Sequence, residues 1–175
     1  MNKNEEQAPC VWLTGLSGAG KSTLAFSLWQ ELKNRGQTAY ILDGDAIRKG
    51  LCKDLGFSLA DREENLRRIC EVAKILSTAH VIPIVACISP LEKDRTMARK
   101  TFASDKFLLV YVNTTLEECE RRDVKGLYAK ARKGEIVDFT GIGSPYEIPI
   151  LVEYVCNCTN DLSSSTSKII NLLGL

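Results

Sequence analysis

The chain has no apolar run long enough to cross a bilayer. Its longest, Val81 to Ile88, is interrupted by Pro83 and falls far short of the roughly 18 residues a membrane helix requires. Nor is there a surplus of charge of one sign: Lys and Arg number 23, Asp and Glu 22, a formal net charge of +1. That balance argues against a general nucleic-acid or acidic-membrane binder, so any anion the protein handles must be met by a local arrangement of groups. Paired CxxC spacings are missing too. The 7 cysteines (Cys10, Cys52, Cys70, Cys87, Cys119, Cys156, Cys158) are odd in number and scattered, which disfavours a disulfide framework or a zinc site. Only Cys156 and Cys158 stand close, on one side of a strand-like stretch, a spacing that suits a metal or redox pair but better fits small buried apolar residues. Met1 to Glu6 is polar and has no apolar core of a secretory leader, and the expectation is a soluble, cytoplasmic protein of a reducing compartment.

What is present is alternation. The 175 residues suit one domain, 1–175, large enough to bury a core without metals or disulfides. Val11 to Thr14, Ala39 to Leu42, Val81 to Ile88, Phe107 to Val112 and Tyr154 to Cys156 read as strands, several apolar on successive residues as in a sheet covered on both faces. Between them, Ser22 to Arg35 carries Leu24, Leu28 and Leu32 at helical spacing and stops before Gly36. Asp61 and Glu64 resemble a capping box, opening a helix with Leu66, Ile69, Ala73 and Leu76 on one face. Leu91 to Phe102, Thr115 to Arg122 and Thr166 to Leu173 supply further helices. This order predicts an α/β fold: a central parallel five-stranded sheet between helices, with ligands at the strands' C-terminal ends.

Directly after the first strand stand Gly15, Leu16, Ser17, Gly18, Ala19, Gly20, Lys21, Ser22 and Thr23, a complete G-x-x-x-x-G-K-[ST] pattern that leads into a helix. Glycines let backbone N–H groups turn onto phosphate oxygens, Lys21 reaches the β- and γ-phosphates, and the Ser22 hydroxyl suits Mg²⁺. The second strand ends in Asp43-Gly44-Asp45, two carboxylates at the edge beside the nucleotide, where they can hold Mg²⁺ through water and accept a proton from an incoming hydroxyl. No N-K-x-D guanine-reading box occurs, which favours a small-molecule kinase over a GTP switch.

Six blocks then carry a family resemblance: Gly15 to Thr23, L-D-G-D-x-x-R (Leu42 to Arg48), L-G-F-S-x-x-D-R-x-x-N-x-R-R (Leu55 to Arg68), I-S-P (Ile88 to Pro90), Arg122 to Ile136, and F-T-G-I-x-x-P-Y-E (Phe139 to Glu147). Together they resemble adenylylsulfate (APS) kinases, over most of the chain. The resemblance implies a three-layer P-loop kinase fold with a mobile lid at about 121–143. It also implies transfer of the γ-phosphoryl of MgATP to the 3′-hydroxyl of APS, giving PAPS and ADP. The alternatives are a P-loop kinase for another small hydroxylated metabolite and a non-catalytic nucleotide-binding subunit.

The residues fit that chemistry. APS needs fixed cations and a flat apolar surface for its purine. By resemblance, Asp45, Arg48, Phe57, Arg62, Asn65, Ile88, Ser89, Lys125 and Phe139 contact APS, with Phe57 and Phe139 sandwiching its adenine, while Arg122 lies at the nucleotide. Arg67 and Arg68 read better as a solvated helix face. Catalysis is assigned to Lys21, Asp45, Ser89 and Arg122, and the metal to Ser22 and Asp43. Ser89 is read as a positioning group for in-line transfer, because the only histidine, His80, lies at the far end of the third strand. The lid's basic residues, Arg121, Arg122, Lys125, Lys130, Arg132 and Lys133, are expected to close over the phosphates. The chain departs from the usual pattern at Ala46, Lys49, Cys52 and Leu91. The family is commonly homodimeric, and the length of the chain points to APS supplied by a separate sulfurylase. The adenine pocket for ATP is expected near Cys158 to Asp161.

Overall fold

The computed structural model describes residues 7–157 and 161–175. Five strands, β1 (Cys10–Thr14), β2 (Ala39–Asp43), β3 (Ile82–Ala86), β4 (Phe107–Asn113) and β5 (Tyr154–Asn157), form one sheet in the order β2-β3-β1-β4-β5. Every neighbouring pair is parallel, with Leu13 opposite Ala86 and Val110, and Asp43 opposite Ala86. Helices α1 (Lys21–Asn34), α3 (Leu59–Thr78), α4 (Glu92–Thr101), α5 (Leu116–Arg122) and α7 (Leu162–Leu172) follow strands or connect them, as a parallel sheet requires. Two six-residue helices, α2 (Gly44–Lys49) and α6 (Leu127–Arg132), complete the described elements.

Alternation along each strand divides the interior into two cores. Val11 and Leu13 of β1 and Leu108 and Val110 of β4 face one way, onto Leu24, Leu28 and Leu32 of α1 and Ile169 and Ile170 of α7. Trp12, Val85, Phe107 and Leu109 face the other, onto Leu66, Ile69 and Ala73 of α3 and Ala98 of α4. All five residues of β1 are buried, which explains a central strand apolar on successive positions.

Helix ends account for most differences from the sequence reading. α3 begins earlier than the Asp61/Glu64 spacing suggests: the Ser58 hydroxyl caps it, accepting from the Asp61 N–H at 3.1 Å. Glu64 instead holds Arg67 and Arg68. α7 starts at Leu162 rather than Thr166, because the Asp161 carboxylate caps it through the Ser164 N–H. The expected proximity of Cys156 and Cys158, and most of the expected adenine pocket, lie outside the described residues.

Leu28 is fully buried between α1, the sheet and α7. Leu28→Ala should cost about 2 to 5 kcal/mol of unfolding free energy, read as a lower urea midpoint at unchanged slope.

Candidate active site

Parallel pairing places the C-terminal ends of β1, β2 and β3 side by side, and a cleft of about 360 Å³ opens there. Its floor begins with the glycine loop. Gly15 has φ +147°, and a Cβ there would stand 2.6 Å from the Val112 carbonyl oxygen, so only glycine lets the chain leave β1 this close to β4. Gly20, at φ +106°, turns the loop into α1. Lys21 is buried at the base, its Nζ donating to the Gly15 and Leu16 carbonyls at 2.9 and 2.7 Å. Burial pushes its pKa down to about 8.

Asp43 joins the loop to the end of β2. Its Oδ2 accepts from the Ser22 hydroxyl at 2.7 Å, and its Oδ1 accepts from the N–H groups of Asp45 and Ala46 at the start of α2. Partial burial opposes its charge, but these hydrogen bonds outweigh burial and hold the carboxyl below its ordinary value. The turn is therefore held through backbone N–H groups, that of Ala46 among them, and these bonds need no side chain at position 46. Asp45 points instead across the cleft, paired with Lys125 from the segment between α5 and α6.

The far wall comes from two segments. Phe57 is 68% exposed, with the Arg48 guanidinium over its ring at 4.6 Å. Phe139 meets the edge of Tyr128, with centroids 5.0 Å apart at 81°. Arg62 ties the segments together: its Nε donates to the Phe57 carbonyl, one Nη to the Asp138 carbonyl and the other to the Thr140 hydroxyl at 3.1 Å. Asn65, one helical turn on, is 5% exposed, and its Oδ1 has no hydrogen-bond partner. On a residue that borders the cleft, such a buried acceptor is costly unless a ligand supplies the donor.

Ile88 and Ser89 close the floor after β3. Ser89 is 2% exposed at φ +39°, and its Oγ accepts from Trp12 Nε1 at 3.1 Å. The fully buried Arg95 holds its carbonyl at 2.8 Å, contacts Glu92 and the Glu147 carbonyl, and secures this strained turn.

Of the residues singled out by sequence, Ser17, Gly18, Gly20, Lys21, Ser22 and Thr23 border the cleft. So do both carboxylates, Arg48, Phe57, Arg62, Asn65, Ile88, Ser89, Lys125 and Phe139. Gly15, Leu16 and Ala19 shape the loop without bordering the cleft, and Arg122 also stands away from it, paired with Glu118 at 2.6 Å. The lid cations differ from the expectation for a physical reason: α5 carries its own acids. Arg121 also takes Glu118, and Arg132 takes Glu120; among the described basic residues of 121–143, Lys125 is the one that borders the cleft. Arg67 and Arg68 lie outside it, on Glu64 and Asp54. Sequence reasoning missed Thr140, Tyr128, Trp12 and Arg95. The first two sit inside quoted motifs, whereas nothing in the pattern marks the last two.

A glycine loop between strand and helix, on a parallel sheet of this order and beside paired carboxylates, defines a P-loop kinase. A family model described as adenylylsulphate kinase matches residues 7–157. The chain belongs to the adenylylsulphate kinase family. It is 52% identical over 164 residues to an adenylyl-sulfate kinase of Shewanella amazonensis, covering 93% of this chain and 83% of the relative. It is 55% identical over 146 residues to a probable adenylyl-sulfate kinase of Halalkalibacterium halodurans, covering 83% and 70%. Among solved structures, the Mycobacterium tuberculosis APS kinase CysC in complex with AMPPNP and APS superimposes with a TM-score of 0.92 at 46% identity, covering 97% of this chain and 99% of that one. Among the described residues, no helix is long and apolar enough to cross a membrane.

Lys21 also sets a pH dependence. Between about 8, its folded value, and 10.5, its ordinary one, the unfolded chain holds a proton that the folded chain has released. Stability of the ligand-free protein should therefore gain a contribution from Lys21 that rises with pH through that window and is flat below it. Urea unfolding on both sides of pH 8 checks this: the wild type should gain on Lys21→Met as pH rises.

Proposed function

We propose that the cleft holds MgATP and APS together and moves the γ-phosphoryl group to the APS 3′-hydroxyl, releasing PAPS and ADP. The observation that carries this reading is the shared cleft: the phosphate loop, Asp45 and the Phe57–Arg62–Asn65–Phe139 wall border one cavity. In this reading residues 15–23 cradle the ATP phosphates, and Lys21 exchanges its two loop carbonyls for β- and γ-phosphate oxygens. Arg48 and Lys125 meet the phosphosulfate, Phe57 and Phe139 enclose the adenine, and Asn65 Oδ1 accepts a hydrogen bond from APS. Arg62, already committed to three acceptors, fixes the wall.

The donors also suit Mg²⁺. Ser22 Oγ and Asp43 Oδ2 are hard oxygens 2.7 Å apart at the loop's end, and a carboxylate held below its ordinary pKa is ionised at neutral pH. When bound, Mg²⁺ supplies charge neutralisation on the phosphates. Asp45 releases Lys125, orients the 3′-hydroxyl and takes its proton late. Phosphoryl transfer passes through a loose transition state, so most of the acceleration comes from positioning by Lys21, Lys125 and the wall. Arg122 reaches the nucleotide once it leaves Glu118 and the lid at 121–143 closes. Ser89, held by Trp12, positions APS while transfer proceeds directly in line. The reading includes a cytoplasmic homodimer fed with APS by a separate sulfurylase.

A gluconokinase of Sinorhizobium meliloti shares the fold, with a TM-score of 0.61 at 15% identity over 97% of this chain and 94% of that one. A coupled assay therefore scores MgATP with APS for ADP and PAPS, beside gluconate and nucleosides. PAPS formation with APS is expected; ADP release with a control acceptor alone overturns the reading, and no turnover with any acceptor favours a non-catalytic subunit. Asp45→Ala should lower turnover more than about tenfold while ATP still binds by calorimetry. Ser89→Ala should keep turnover within about tenfold of the wild type, as a positioning group allows and a nucleophile that carries the phosphoryl group does not.

A further inference from the structure

The block F-T-G-I-x-x-P-Y-E does more than supply Phe139. Its end, Tyr146 and Glu147, reaches the turn from Ile88 to Pro90 at the floor of the cleft by three routes. The hydroxyl of Thr14, a fully buried residue at the end of β1, lies 2.7 Å from the Ile88 carbonyl and 2.9 Å from the Tyr146 hydroxyl. The Glu147 carbonyl accepts from Arg95 at 2.8 Å, and the same guanidinium holds the Ser89 carbonyl. Last, the Glu147 N–H donates to the Pro90 carbonyl at 2.8 Å.

Chemistry fixes the direction of the first route. A carbonyl can only accept, so the single Thr14 hydroxyl proton goes to Ile88, whose oxygen is nearer than that of Ser89 at 3.4 Å. Tyr146 must then donate to Thr14 Oγ1. Burial pushes the Tyr146 phenol up, which keeps its proton in place at neutral pH. Its ring is stacked on Tyr111, with centroids 6.0 Å apart at 18°, and the Arg95 guanidinium stands 5.8 Å from its centroid. A hydroxyl that accepts a hydrogen bond becomes a stronger donor, so the Tyr146 proton tightens the hold of Thr14 on the Ile88 carbonyl. Neither Thr14 nor Tyr146 borders the cleft, whereas Ile88 and Ser89 both do.

We propose that Tyr146 is a positioning residue for the acceptor: through Thr14 it fixes the peptide between Ile88 and Ser89 and so sets how these two residues meet APS. The proposal rests on the reading that Ile88 and Ser89 contact APS. Ser89 has φ +39°, a conformation that a residue with a side chain keeps only where its surroundings impose it. With the Ile88 carbonyl tied by Thr14 and the Ser89 carbonyl tied by Arg95, the peptide planes on both sides of Ser89 are held before the substrate arrives. APS then meets a smaller ordering cost. The bonds end on the acceptor floor, so the effect falls on APS and spares MgATP.

Steady-state kinetics on the full chain test this. Tyr146→Phe keeps the ring and removes the proton; it should raise the KM for APS about fivefold or more, while kcat and the KM for MgATP stay within about twofold of the wild type. Thr14→Val, which breaks the same link at its middle, should raise the KM for APS to a similar degree, and the double variant should be no more impaired than the worse single one. Thr14→Ser keeps the hydroxyl and should stay within about twofold of the wild type. Loosened packing would instead lower kcat, raise both KM values and add up in the double variant. An unchanged KM for APS in Tyr146→Phe, equal rises for both substrates, or single effects that multiply in the double variant overturns the proposal. No PAPS from the wild type overturns the reading of the cleft itself, and the role of Tyr146 with it.

Discussion

The site depends on the Asp43 carboxylate. One oxygen takes the Ser22 hydroxyl at the start of α1, and the other takes the N–H groups that begin α2. A single anion at the end of β2 therefore fixes the spacing between the phosphate loop and the turn that aims Asp45. The surrounding sheet makes this economical: parallel neighbours β2, β3 and β1 end together, so three short segments reach one another without long loops. The hydrogen bonds Asp43 receives outweigh the burial that works against its charge.

The opposite wall is assembled on another principle. No strand carries Phe57, Arg62, Phe139 or Lys125; they stand on a helix and loops, and side-chain bonds to backbone carbonyls register them. Arg62 spans from the Phe57 carbonyl to the 138–140 segment, and Lys125 spans from the segment between α5 and α6 to Asp45. Such contacts exchange readily with water or ligand, whereas the cores beneath the sheet do not. One side of the cleft is therefore set by the fold and the other by replaceable polar contacts, an arrangement suited to admitting and releasing a charged acceptor.

The legible part of the sequence was what backbone geometry and burial dictate. The five strands, the glycine loop and the long helices α1, α3 and α4 stand within a few residues of where apolar spacing puts them. α2 and α6 escaped because six residues hold under two turns, too few for a repeat to register, and α6 starts from a left-handed glycine within a basic stretch. Ser58 was overlooked as a cap because Asp61 and Glu64 offered the same spacing three residues later. Charge partners were the least legible. Nothing in the order of residues tells whether Arg122 faces a phosphate or Glu118, or whether Arg132 faces the cleft or Glu120, because those choices depend on where a neighbouring helix turns its acids. Arg95 and Trp12, which hold Ser89, lie 6 and 77 positions from it, and for Trp12 only the folded sheet brings the two together.

The cysteines lead in another direction. Cys10, Cys52, Cys70, Cys87, Cys119 and Cys156 are all free and buried, on both faces of the sheet and beneath the cleft. Burial pushes the Cys87 thiol up to about 12 and Cys70 to about 11, so neither presents a thiolate at neutral pH. Cys10 and Cys70 on one face of the sheet, and Cys119 and Cys156 on the other, therefore become available to an alkylating reagent only when their own layer parts. Spread through both cores, they form a built-in set of reporters by which the opening of one face of the sheet can be timed against the other.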